Sequence, residues 1–126
     1  GKCCELGQLS LDNNALSNID SLGKLDKLWA LSLTNNRLSD IKKLSQFTKL
    51  KDLDLSSNQL RSVESLKSLT ELYTLRLTDN EVNSLEGLQY LKKLLFLELK
   101  GNPLTRSEIN WLKRQLPNCY ISNDFE

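Results

Sequence analysis

Asp52 and Asp54 are the residues of this chain whose spacing comes nearest to a catalytic arrangement, because a carboxylate pair can act as acid and base. The chain contains no histidine, so neither a serine–histidine nor a cysteine–histidine nucleophile can form, and no cluster has zinc-site spacing. No glycine-rich phosphate loop is present. Two acids facing the same way on an open strand are typical of a solvated surface. We therefore predict a protein that is not an enzyme and has no cofactor or metal.

The elements that must position these acids are repeated along the chain. The pattern Leu-x-x-Leu-x-Leu-x-x-Asn begins five times, 22 residues apart, at Leu6, Leu28, Leu50, Leu72 and Leu94. Its Leu-x-Leu part alternates with period two, which indicates a short strand with one buried face. Later apolar positions follow at steps of three, which suits 3₁₀ turns. A fixed period in this range indicates a solenoid, in which each coil buries its apolar side against its neighbours.

The predicted fold is a right-handed α/β solenoid with about six short parallel strands on its concave face, 3₁₀ turns on its convex face and a C-terminal α-helical cap. We predict one domain, made of a partial N-terminal coil at residues 1–5, five repeats at 6–104, and a cap helix with a terminal strand at 105–126. Thr105 and Glu108 have the spacing of a helix capping box, and Pro117 cannot continue the helix.

A sixth strand is expected after this helix, because counting 22 residues on from Leu94 reaches Leu116. The same count places Cys119 and Ile121 in buried columns. Trp111, on the cap helix, is expected to shield the core.

Each repeat carries one asparagine in the same column: Asn14, Asn36, Asn58, Asn80 and Asn102. An amide side chain both donates and accepts, so it can satisfy backbone groups at the bend after each strand. We predict that these five residues form a structural asparagine ladder rather than a ligand site.

These repeats resemble the leucine-rich repeat proteins of the 22-residue class, and the resemblance runs from Cys3 to Ile121. Members of that class include bacterial internalin-like proteins and regulatory subunits of eukaryotic phosphatases. The resemblance implies a non-catalytic binder of other proteins. The ending Leu-Pro-Asn-Cys, which follows a charged helix, is similar to the last unit of many bacterial members and favours a bacterial source.

The three cysteines argue against a disulfide framework. Cys3 and Cys119 lie near opposite ends of the strand stack, farther apart than the ~7 Å that a disulfide can bridge. Both are expected to be small buried side chains, whereas Cys4 leaves a vicinal Cys3–Cys4 bond or dimerisation open. Free thiols favour a cytoplasmic location over secretion, and delivery to a host cell remains an alternative.

The net charge of +1 argues against a nucleic-acid partner, and no apolar stretch is long enough for membrane insertion. We predict a protein partner, with a monomer favoured. The residues that do not repeat are the candidates for contacting this partner: Trp29, Asp52, Asp54, Tyr73, Arg76, Phe96 and Glu98. Aromatic residues are enriched in interface hot spots, although Trp29 and Tyr73 also fit a purely packing role along the solenoid edge.

The sequence thus predicts a protein–protein interaction module that binds its partner on the concave face. One alternative is a targeting or structural domain of a larger bacterial effector or surface protein whose activity lies elsewhere. Another is an anionic partner on a basic rim interrupted by Glu71 and formed by Lys27, Lys49, Lys51, Lys92 and Lys93. Such lysines usually serve solubility.

Overall fold

A computed structural model describes residues 6–126 as a single stack of coils around one open, six-stranded parallel sheet. The strands follow chain order: β1 (Gln8–Ser10), β2 (Ala30–Ser32), β3 (Asp52–Asp54), β4 (Thr74–Arg76), β5 (Phe96–Glu98) and β6 (Tyr120–Ser122). On the opposite side lie 3₁₀ helices at Lys42–Gln46, Glu64–Ser68 and Leu88–Tyr90. The solenoid predicted from the repeats is therefore confirmed. The predicted partial coil, with Cys3 and Cys4, lies outside the described residues.

The core is built from the leucine columns of the repeat. The middle residue of each strand from β2 to β5 is a buried leucine, and these leucines pair directly across the sheet: Leu31, Leu53, Leu75 and Leu97. Because every coil contributes the same columns, the apolar side chains stack into one continuous cluster. In the first coil the leucines are less buried, and Leu6 remains 39% exposed.

A sharp bend follows each of the strands β2 to β5, and one residue in each of these bends has left-handed backbone. The φ angles of Asn35, Ser57 and Asp79 are 56°, 59° and 56°, and Gly101 continues the series at 80°. Asparagine, aspartate and glycine tolerate this conformation best. At Gly101 a second constraint applies, since a Cβ atom there would collide with the Asp79 side chain.

The cap helix α1 (Arg106–Gln115) covers the last coil with the buried side chains Ile109 and Leu112, and Trp111 packs partly buried against the core. Thr105 is its N-cap, accepting a hydrogen bond from the Glu108 amide at 3.1 Å. The Glu108 carboxylate does not close a capping box. It accepts instead from the backbone amide of Leu85 in the preceding coil, at 2.9 Å.

The predicted sixth strand is present, but its predicted register is wrong by two residues. Leu97 pairs with Ile121 and Phe96 with Tyr120. The helical coil uses two more residues than a coil with 3₁₀ turns, so counting by 22 fails there. Cys119 consequently lies just before β6, beside Leu95, where it is half-buried against the core. This burial raises the pKa of its thiol to about 11.

Among residues 6–126, no helix combines the length and apolarity needed to cross a bilayer.

Candidate functional site

The exposed face of the sheet, called the strand face below, carries the side chains that flank each central apolar residue. Because side chains alternate along a strand, the first and third residues of each strand point outward while the central residue points into the core. The face therefore consists of two columns: Gln8, Ala30, Asp52, Thr74, Phe96 and Tyr120, and then Ser10, Ser32, Asp54, Arg76, Glu98 and Ser122.

Arg76 is the centre of the charged groups on this face. Its guanidinium lies 3.6 Å from Asp52 Oδ1 and 3.5 Å from Glu98 Oε2, which makes two loose ion pairs across neighbouring strands. It also lies over the Phe96 ring, 5.5 Å from the ring centroid, within the range of a cation–π contact. Four of the residues predicted from sequence are thus brought together. Partly exposed ion pairs of this kind stabilise a fold little, so the cluster is available for binding.

Phe96 in turn stacks on Tyr120, with ring centroids 5.8 Å apart and an angle of 16° between the planes. The Tyr120 hydroxyl donates to Glu126 Oε2 at 3.0 Å, and this hydrogen bond raises the pKa of Tyr120. Tyr120 was not among the candidates from sequence, and the two-residue error in register placed it opposite Glu98 and not opposite Phe96, on which it stacks. Adding two residues to the repeat length of the coil that contains the helix would have predicted the pairing of Phe96 with Tyr120.

A second column precedes the strands: Gly7, Trp29, Lys51, Tyr73, Leu95 and Cys119. Its four middle residues are exposed, whereas Gly7 and Cys119 are partly buried. Leu95 is 58% exposed and Tyr73 41%. Together with Phe96 and Tyr120, which is 55% exposed, they form what we call the aromatic patch. Lys51 lies over the Tyr73 ring at 6.0 Å.

Trp29 lies apart from this patch. It is 43% exposed, and Lys51 separates it from Tyr73 in the column. Its indole ring covers Gly7, where an added Cβ would come within 2.7 Å of Trp29 Nε1. Trp29 is therefore in contact with the first coil and away from the Arg76 cluster.

Asp54 borders a shallow depression of about 480 Å³ over β1 to β4, whose small floor residues include Ala30 and Ser32. Its carboxylate accepts one backbone hydrogen bond, from Ser56 at 3.0 Å. Asp12, which follows β1 and does not line this depression, is bonded differently. Partial burial tends to raise its pKa, but hydrogen bonds from Ser32, Thr34 and Ser10 outweigh that effect, and the pKa of Asp12 is lowered.

Within residues 6–126, no group of His, Cys, Asp and Glu side chains is arranged to hold a metal ion.

The asparagine column lies on the other side of the bend and is turned inward. Asn58 Nδ2 donates to the carbonyl oxygens of Leu33 and Leu55 at 2.9 and 3.0 Å, and its Oδ1 accepts from the Leu38 amide at 3.0 Å. Equivalent bonds are made by Asn36, Asn80 and Asn102. Asn14 is exposed, and its Nδ2 donates to Asp12 O.

The lysine rim is partly engaged within the chain. Lys93 Nζ lies 3.1 Å from both carboxylate oxygens of Glu71, and this hydrogen bond, reinforced by the charge of Glu71, raises the pKa of Lys93. Lys92 donates to the Gln115 carbonyl at the end of α1, at 3.2 Å. Of the five rim lysines, Lys92 is thus bonded to the next coil and Lys93 to the preceding one.

Comparison with known proteins agrees with this architecture. The family described as "Leucine Rich repeats (2 copies)" matches residues 30–68 and 48–90. The repeats, the asparagine column and the open parallel sheet together define the class: the chain is a leucine-rich repeat protein. Leucine-rich repeat proteins such as internalins are typically non-enzymatic, and their fold is a general scaffold for protein interaction.

Solved structures of bacterial proteins are similar to the chain. Internalin C2 from Listeria monocytogenes superposes with a TM-score of 0.88 at 26% identity, over 95% of this chain and 52% of that one. A leucine-rich repeat protein from Leptospira interrogans gives a TM-score of 0.73 at 30% identity, over 79% of this chain and 26% of the other. This chain thus spans about half of the internalin and a quarter of the Leptospira protein. The bacterial neighbours suggest a bacterial origin. No curated protein sequence matches.

Proposed function

We propose that the chain is a non-catalytic protein-interaction module whose partner lies across the strand face and is anchored on the aromatic patch. The observation that carries this proposal is the exposure of that patch. Leu95, Tyr120 and Tyr73 are 58%, 55% and 41% exposed and sit side by side on adjacent coils. Contiguous exposed apolar groups of this kind mark interaction surfaces.

The sheet beneath the patch makes binding efficient. Six strands paired in register hold the strand-face residues in place before any partner arrives, so little ordering free energy is lost on association. Arg76 adds a second type of contact, because arginine, like tyrosine and tryptophan, is enriched at interface hot spots. A typical interface of roughly 800 Å² per partner fits a surface that spans six strands.

The experiment uses the wild-type chain and a triple variant, Tyr73→Ala, Arg76→Ala and Phe96→Ala, as baits in extracts of the source organism. A matched triple variant on the opposite side, Lys42→Ala, Glu64→Ala and Lys67→Ala, is the control. A protein retained by both the wild-type chain and the control variant is then purified, and its affinity for all three chains is measured. We expect its Kd to rise at least tenfold for the patch variant, which corresponds to about 1.4 kcal/mol.

Circular dichroism must show that all three chains are folded. An identified partner that binds the patch variant as tightly as wild type would contradict the proposal.

A further inference from the structure

We propose that the docking segment of the partner is basic. In this proposal an extended stretch crosses the strands, brings an arginine or lysine to Asp54 and rests an apolar side chain on Phe96 and Tyr120. The inference depends on the proposed function and adds the chemistry and spacing of the partner to it.

The first argument is the charge of the strand face compared with the rest of the chain. Three carboxylates, Asp52, Asp54 and Glu98, face one cation, Arg76, among the outward side chains of the six strands. The chain as a whole has a net charge of +1. The binding face is therefore acidic on a protein that is slightly basic, and complementary charge orients and selects a partner.

The second argument is the position of Arg76, which leaves Asp54 without a cation. Although Asp54 pairs with Arg76 in the sheet register, the guanidinium turns to Asp52 and Glu98 instead. Across residues 6–126, no basic group lies within 4.0 Å of the Asp54 carboxylate. The depression beside it, floored by Ala30 and Ser32, provides room for a long cationic side chain.

The third argument is that the face already accommodates a guanidinium of its own. Arg76 rests on the Phe96 ring while two carboxylates flank it. Phe96 continues into Tyr120 through ring stacking, and Tyr120 is 55% exposed. The stacked rings offer a flat apolar surface next to the acidic one, so a segment with both cationic and apolar side chains fits better than one with either alone.

The sheet geometry sets the spacing between these two side chains. Asp54 lies on β3 and Tyr120 on β6, three strand intervals apart. With neighbouring strands ~4.8 Å apart, the two contact points are separated by about 14 Å. An extended chain advances about 3.4 Å per residue, so the cation and the apolar residue should be about four positions apart.

The test uses a synthetic peptide, acetyl-Arg-Gly-Ser-Gly-Tyr-amide, and a matched peptide with Glu in place of Arg. Each is titrated into the ¹⁵N-labelled full chain at low salt, and amide shifts are followed by NMR. We expect the Arg peptide to shift the amides of β3, β5 and β6 and to bind about tenfold more tightly than the Glu peptide. Added NaCl should reduce this difference, because exposed charges are screened.

Two variants make the result specific. Asp54→Asn should weaken binding of the Arg peptide about threefold, whereas Glu64→Gln, the same change of charge on the 3₁₀ side, should leave it unchanged. Equal affinity for both peptides, an unchanged affinity in Asp54→Asn, or no strand-face shifts at millimolar Arg peptide would overturn the inference. The proposed function is tested separately, since only a partner that tolerates the patch variant contradicts it.

Discussion

Single residues of one type have different surroundings in different coils. Asn58 is 8% exposed and its side chain holds two successive coils together, whereas the side chain of Asn14 is exposed and bonds within its own coil. The difference follows from position, because Asn58 bonds to the coil before its own, whereas Asn14 lies in the first coil that the structure describes. A buried amide that satisfies backbone groups is costly to remove, since those groups lose their partners without gaining water.

Replacing Asn58 by alanine should therefore lower the free energy of unfolding by about 1–3 kcal/mol. Its loss leaves the Leu38 amide without its acceptor. The carbonyls of Leu33 and Leu55 each lose one of two amide donors and keep the other, from Asn36 and Asn80. Chemical denaturation monitored by circular dichroism measures the change. Asn14→Ala is the matched control and should cost less than about 0.5 kcal/mol, as surface substitutions usually do. Equal losses for the two variants would show that burial of the amide is not the cause.

Among the candidate contact residues, Arg76 and Phe96 were suggested by their residue types. The residue type does not say how the two side chains interact. Column position placed Arg76 next to Asp54, and both of its ion pairs are with other acids. A long, flexible arginine side chain can reach several carboxylates. Its rotamer, together with the contact between Arg76 and the Phe96 ring, determines which of them it pairs with.

At the scale of elements, helix α1 is joined to the stack by a polar contact as well as by Ile109 and Leu112. The Glu108 carboxylate accepts from the amide of Leu85, whose side chain is fully buried. Thr105 begins the helix by accepting from the Glu108 amide. The capping-box spacing therefore correctly indicated where the helix starts, while the glutamate side chain bonds to a neighbouring coil.

Glu108→Ala should destabilise the protein by about 1–3 kcal/mol, because it leaves the Leu85 amide without an acceptor. Glu108→Gln keeps an oxygen at the same place and should cost clearly less. The shift of the urea midpoint compares the two variants. If alanine and glutamine were tolerated equally, the contact to Leu85 would contribute nothing measurable.

At the scale of the whole molecule, stability depends on contacts between neighbouring coils, as in other repeat proteins. The two ends of the described stack differ. Helix α1 covers the last coil, whereas Leu6 is 39% exposed and Leu9 and Leu11 are only partly buried at the other end. Regions with fewer buried contacts open at lower free energy.

Amide hydrogen exchange should therefore show a gradient along the solenoid. The Leu11 amide, bonded to Ser32 O at 2.9 Å, should exchange at least tenfold faster than the Leu55 amide, bonded to Arg76 O at the same distance. The Leu99 amide, bonded to Ser122 O near the cap, serves as the control and should stay protected. Uniform protection at all three positions would mean that the chain opens only as one cooperative unit.

The amino-acid sequence by itself determined the solenoid, its strands, the buried columns and the location of the cap helix. It could do so because a strict repeat puts chemically equivalent residues at equivalent places, and burial of the leucines permits one register between coils of equal length. The tertiary structure alone decided the register of β6, the stacking of Phe96 on Tyr120 and the partners of Arg76 and Glu108. These features lie where the repeat ends or where side chains do not repeat. The contacts at these places depend on the number of residues that the helical coil needs and on which of several nearby groups a side chain bonds to. The 22-residue spacing predicts neither.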